Sequence, residues 1–237
     1  MSYADRYDPD TDFDHWYTDA TGTAIVDWVR PDDDVLELGC ATGRMTERFA
    51  RAGARVVAVD HATSYLERAR ARHLAGVTYL QADIQAFASD DRFDHVVLAN
   101  VVHEVADPAK LFRVAADHLR PGGYLHVTLQ NPRSIHRLVG LEMGLIAQLA
   151  ELSERGRDLD TIEVFDVADL ERFGRESGLR VVHRAGIMLK PLPNDLMSRL
   201  PDDILEGLVR AARHLPDHCS MNFLVFRRES ADLLADG

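Results

Sequence analysis

Between about Asp34 and about Gln130, short runs of apolar residues alternate with segments whose apolar positions recur every three or four residues. Segments 35–38, 55–60, 77–80, 93–99 and 124–129 read as strands; 45–51, 65–74 and 109–119 read as helices. Pro121-Gly122-Gly123 ends the last of these helices. Strands that are apolar throughout and separated by helices belong to a parallel sheet covered on both faces. The pattern therefore predicts an α/β fold, a doubly wound and mostly parallel sheet, with any ligand beyond the C-terminal strand ends.

After Asn131-Pro132 the rhythm changes. Leu138, Leu141, Leu145 and Leu149 predict one long amphipathic helix over 135–152, followed by a polar break at 153–158. A helix over 167–177 is stopped by Gly178, a strand begins at Leu179, and Pro191, Pro193 and Pro201 mark a loop. A helix over 204–214 and a closing strand over 221–226 complete a seven-stranded sheet. No repeat or linker divides the chain, so residues 1–237 are expected to form one domain. Segments 131–163 and 190–218 read as insertions that cap the end of the sheet.

Of the 237 residues, 46% are apolar, enough for a packed core. Asp and Glu number 39 against 27 Lys and Arg, a formal charge of −12. Such a body repels phosphate backbones and anionic lipid, so neither nucleic acid nor membrane is expected as a partner. Cys40 and Cys219 have no metal-ligand spacing, and no metal is expected. The opening residues lack a basic and then apolar leader pattern, and no apolar run approaches the ~20 residues of a membrane span. The expectation is a cytoplasmic protein.

Candidate chemistry starts where segment 35–38 runs into Gly39-Cys40-Ala41-Thr42-Gly43. Two glycines and three small residues between a strand and a helix let a ligand approach the backbone, and the helix start offers amides and a positive dipole end. An ordinary tight turn meets the same pattern. A triphosphate loop would need Gly-Lys-Ser/Thr, but Arg44-Met45 follows; a dinucleotide turn would need a glycine where Ala41 stands. Glu37 lies inside the apolar strand, where an unpartnered carboxylate is costly. Asp60 ends the second strand, 17 residues after Gly43, placed to accept ribose hydroxyls, and Asp83 follows the third.

Together these motifs resemble the class I S-adenosylmethionine-dependent methyltransferases. VLELGCATG is similar to their first motif, VVAVD to their second-strand acid and QADI to their adenine-side acid. FDHVVLANVVHEVADP resembles their fourth-strand segment and LRPGGYLHVTLQN the approach to the fifth, so the likeness covers roughly residues 33 to 131. Ala41 departs from the glycine the family often has. The resemblance implies S-adenosylmethionine as cofactor, held by Glu37, Gly39, Cys40, Ala41, Gly43, Asp60, His61, Asp83, Ile84 and Asn100.

His103, beside the expected methyl group, is the candidate general base, though a packing role fits it as well. Tyr17, Arg133, His136 and Arg137 are the candidate acceptor contacts, with capping by Asn131 or Ser134 as the alternative for the arginine-rich stretch. His15 and Trp16 accompany Tyr17 as a lid, or pack on the sheet. The expected enzyme methylates a small molecule, sugar or peptide, on oxygen by preference and on nitrogen or carboxylate otherwise, in natural-product or cell-surface chemistry. A cofactor-binding partner without catalysis is the competing class. The apolar stripes leave monomer and homodimer both open.

Overall fold

The computed structural model describes residues 6–152, 156–157 and 161–229. Seven strands form one sheet: β1 (Asp34–Leu38), β2 (Arg55–Asp60), β3 (Val77–Gln81), β4 (Phe93–Ala99), β5 (Leu119–Gln130), β6 (Leu179–Ile187) and β7 (Met221–Arg228). Their order is β3-β2-β1-β4-β5-β7-β6. The first five run parallel, and β7 inserts antiparallel between β5 and β6. The order reverses between β1 and β4, so the tips of β1, β2 and β4 open one crevice, the place where such sheets bind ligands.

Strand alternation assigns each side chain to a layer. Leu36 and Leu38 of β1 join Val96 and Leu98 under α4 (Pro108–His118) and α6 (Val167–Glu176), through Leu111, Phe112, Leu170 and Phe173. Val35 turns to the other face, with Val56, Ala58 and Val97, under α1 (His15–Val26), α2 (Arg44–Arg51) and α3 (Thr63–Arg70). Glu37 shares the parity of Val35, which places its carboxyl among the side chains of α2. Trp16 and Trp28 pack against this second core.

Two segments differ from the pattern-based expectation. The helix expected over 135–152 is α5, Ile135–Glu142 only. Gly144 takes φ +71, its N–H donates to the Leu141 carbonyl and that of Leu145 to Gly140, the paired bonds that close a helix at a left-handed glycine. Leu145, counted in the apolar stripe, is consequently 71% exposed. The second difference is at Pro121-Gly122-Gly123, which does not precede β5 but bulges within it. The register with β4 jumps from Phe93↔Leu119 to His95↔Tyr124.

The chain between Pro201 and β7 holds α8 (Asp202–Ala211) and short 3₁₀ turns, preceded by α7 (Asn194–Met197). This region is tied to the segment after β5. Asn131 donates its amide to Ser220 and its side-chain NH₂ to the carbonyls of Asp217 and Cys219, and His136 N–H donates to Lys190. The two stretches thus meet over the C-terminal end of the sheet.

Candidate active site

Glu37 is 2% exposed and accepts a 2.5 Å hydrogen bond from Thr46 Oγ1 on α2. Burial pushes its pKa up to about 8; the Thr46 bond pulls down and the charge of Asp60 pushes up. In the free protein it is therefore largely a neutral acid at pH 7. Asp60, also buried, clamps two turns: Oδ2 accepts from Ala41 N–H and Oδ1 from Ala62 N–H, each at 2.9 Å. The strand tip, the glycine turn and the start of α3 are thereby fixed to one carboxylate.

The glycines serve packing more than open space. Gly39 has φ +90, and a Cβ there would lie 2.4 Å from Val101 Cγ1. At Gly43, φ +75, a Cβ would meet Tyr79 Oη at 3.0 Å and Ala69 Cβ at 3.2 Å, on the side of α3. The amides of Gly39 and Cys40 both donate to Val59 O, and Gly43 to Cys40 O. The N–H groups of Gly39, Cys40, Ala41 and Gly43 are thus spent inside the protein, and the first turn of α2 adds amides without intrahelical partners.

Around this turn lies a cavity of about 130 Å³, lined by Glu37, Gly39, Cys40, Ala41, Asp60, His61, Ile84 and Asn100, among others. Asp83 is exposed and does not line it; Oδ1 accepts from Gln85 N–H, capping the turn after β3. Ile84 supplies an apolar wall instead. Arg44 lines the cavity too, but Asp19 neutralises it through bonds of 2.9 and 2.6 Å. With that cation paired, Asp60 and Glu104 set the local sign.

The sequence reading missed the strap over this cavity. Tyr7 and Pro9 line it, Tyr65 Oη donates to Tyr7 O at 2.7 Å, and Arg68 and Arg72 hold Asp8 and Asp10. The legible signal was the acidic run from Asp8 to Asp14 set against the arginines of 68–72.

Asn100 and Tyr7 also line a second cavity, of about 430 Å³, so the two spaces meet there. Asn100 sits at φ +57, with Oδ1 buried and without a hydrogen-bond partner. Tyr17, His103, Gln130, His136, Arg137, Lys190 and Asn194 line the larger space. His103 is 5% exposed; its Nδ1 has no partner and its Nε2 stands 3.6 Å from Glu104, beyond hydrogen-bond reach. Burial pulls its pKa down to about 4, so the ring is neutral at physiological pH. His136 is also neutral, lowered to about 3 by burial and by Lys190 and Arg137, with Nδ1 against Ser134 Oγ at 3.1 Å.

Tyr17 Oη donates to Asn194 Oδ1, and Asn194 donates to Asp14. Arg133 is exposed and lines neither cavity, and Asn131 Oδ1 caps its N–H. Lys190 and Asn194 were not legible as site residues. They lie in the proline-marked loop, brought over the sheet by contacts with no local sequence signal.

The crevice suits an adenosyl sulfonium: acidic walls for a cation, a buried acid and an orphan Asn100 carbonyl for donors, and an acid at the β2 tip for a ribose. Comparison with known proteins agrees. Residues 35–123 match the family model described as a methyltransferase domain. The chain is 30% identical over 190 residues to a ubiquinone biosynthesis O-methyltransferase of Alkalilimnicola ehrlichii, covering 77% of this chain and 74% of the relative. A crystal structure of an S-adenosylmethionine-dependent methyltransferase from Mesorhizobium loti superposes with a TM-score of 0.61 at 20% identity, covering 88% of this chain and 98% of that one. A magnesium protoporphyrin IX methyltransferase from Synechocystis, solved with bound S-adenosylhomocysteine, gives 0.62 at 15% identity over 91% and 84%.

The fold and crevice are those of a class I methyltransferase. The chain belongs to the S-adenosylmethionine-dependent methyltransferases: it is an enzyme, and S-adenosylmethionine is its cofactor.

Proposed function

We propose that the protein methylates a hydroxyl of a small organic acceptor held in the 430 Å³ cavity, under a cap formed by segments 131–163 and 190–218. Within those segments, the described residues are 131–152, 156–157, 161–163 and 190–218. The observation that carries this reading is His103: neutral, buried, with an unpartnered nitrogen, in the wall of the larger cavity. The relatives whose names specify O-methylation support oxygen as the acceptor atom.

The cofactor supplies an activated methyl group on sulfur. The chain's part is to align the acceptor and to take its proton. Tyr17 and His136 wall the acceptor, and Asn100 lines both spaces. His103 receives the proton as the hydroxyl oxygen gives its lone pair to the methyl carbon and turns positive, the pair of the broken S–C bond staying on sulfur. No described helix is long and apolar enough to cross a membrane.

The test is calorimetry with S-adenosylhomocysteine and NADH side by side, then transfer of labelled methyl to paired hydroxyl and amine acceptors. Binding of the first ligand alone and labelling of hydroxyls is the expected result. Preferential labelling of the amine partner would remove the oxygen assignment.

Glu37 gives a second expected outcome. Below pH 8 the free protein holds it protonated, and the cofactor's ammonium favours its carboxylate. Binding should then release a proton, and affinity for S-adenosylhomocysteine should rise from pH 6 towards 8 and level off there. The slope can reach roughly tenfold per pH unit. Titrations in buffers of different ionisation enthalpy measure the release. If Glu37→Gln keeps the same proton release, another group is responsible.

A further inference from the structure

We infer that the acceptor carries a carboxylate, received by Arg137 in the wall of the larger cavity. The inference rests on the acceptor-cavity reading above and narrows it to a class of molecule.

Arg137 projects from α5 and is half-buried. Its Nη2 donates to the main-chain carbonyls of Leu149 at 2.7 Å and Glu151 at 2.5 Å, which fix the guanidinium in place. These are neutral acceptors. Among the described residues, no carboxylate pairs with it, and its Nε is buried without an acceptor. The other arginines near the site are neutralised: Arg44 by Asp19, Arg72 by Asp10 and Glu47. The nearby carboxylate of Glu151 acts on it only at longer range and pairs with Arg157 instead. A partly desolvated guanidinium without a salt-bridge partner is unfavourable, and an incoming anion relieves it.

The location matters as much as the charge. A narrow extension of about 30 Å³ opens from the cavity, and Arg137 and His103 line both. A molecule that touches the arginine therefore lies beside the histidine. Acids share these walls, Asp14 and Asp195 on the larger space and Glu163 on the extension, but none of them forms a salt bridge with Arg137. Lys190 adds positive charge on the larger space's wall. Three acids would repel a phosphate dianion more than a carboxylate, and one unpaired guanidinium matches one negative charge. The two Nη1 hydrogens remain as donors to it.

The experiment compares 4-hydroxyphenylacetate with its neutral amide, 4-hydroxyphenylacetamide, by calorimetry on the full chain saturated with S-adenosylhomocysteine. In the wild type the acid should bind about tenfold or more tighter than the amide. Arg137→Gln should bring the two within about twofold, Arg137→Lys should keep part of the preference, and all three proteins should bind S-adenosylhomocysteine equally. Equal binding of acid and amide, or binding of neither, overturns the inference. So does a preference that survives Arg137→Gln, which would leave the arginine as a cap on two carbonyls. Phenyl phosphate binding tighter than the acid overturns the carboxylate assignment. Transfer of methyl to amines with the acid preference intact would remove the oxygen reading and support this one.

Discussion

Asp60→Asn is expected to weaken S-adenosylhomocysteine binding by about a hundredfold or more while the protein remains folded. In the free protein both carboxylate oxygens are engaged, one by Ala41 N–H and one by Ala62 N–H; each keeps a second lone pair, and Asp60 lines the cavity. Asparagine has one oxygen and one NH₂. Whichever way it turns, its NH₂ faces a backbone N–H, so one turn is released and one acceptor towards a ribose is lost. Hydrogen bonds to a charged group contribute roughly 1.5–3 kcal/mol each, so losing one and reducing the other to a neutral bond accounts for the hundredfold, about 2.7 kcal/mol. The unsatisfied amide costs about 1–3 kcal/mol of stability, visible as a lowered Tm. Asp83→Asn is the internal comparison. That side chain is exposed and caps a turn, so its affinity change should stay within about threefold. Calorimetry on both variants decides the matter, and equal losses would mean that Asp60 holds no ligand of its own.

The contrast between those two acids also marks what sequence makes legible. Strand tips are readable because an apolar run ending in an acid has a direct physical reading, and the tips of β1, β2 and β4 meet as the topology requires. The orientation of a side chain beyond the tip is not readable, because the next turn sets it. Asp60 is drawn inward by two amides, and Asp83 outward by one.

The glycine turn teaches a related lesson. Its spacing located the crevice, yet Gly39 and Gly43 are bare because Val101 and Ala69 press against them, contacts from distant segments. The helix at 135–142 shows the opposite failure. Gly144 is a legible stop signal, but the leucine period runs on past it to Leu149 and masks the helix end. The acceptor wall was least legible. His136 and Arg137 were read from their place after β5, whereas Lys190 and Asn194 reach the cavity only through the docking of one insertion on the other.

His103→Gln should lower kcat by about a hundredfold or more and leave the affinity for S-adenosylhomocysteine unchanged, since His103 does not line the cofactor cavity. Glutamine keeps much of the volume and some polarity but cannot take a proton, so a loss of kcat separates base chemistry from packing. The pH profile adds a sign. Burial holds the folded-state pKa near 4, so His103 is neutral and able to accept a proton throughout the neutral range. Activity in kcat should therefore stay flat with respect to this group down to about pH 5, and fall as pH drops through 4 and the ring is protonated. In His103→Gln the residual rate should lack that acid limb. A base of such low pKa suffices only because the hydroxyl oxygen becomes strongly acidic as it bonds to the arriving methyl, so the proton leaves late. Measured labelling rates between pH 3.5 and 8, within the range where the protein stays folded, test this. A kcat within threefold of wild type at pH 7 would reduce His103 to a wall of the cavity, with alignment alone carrying the reaction.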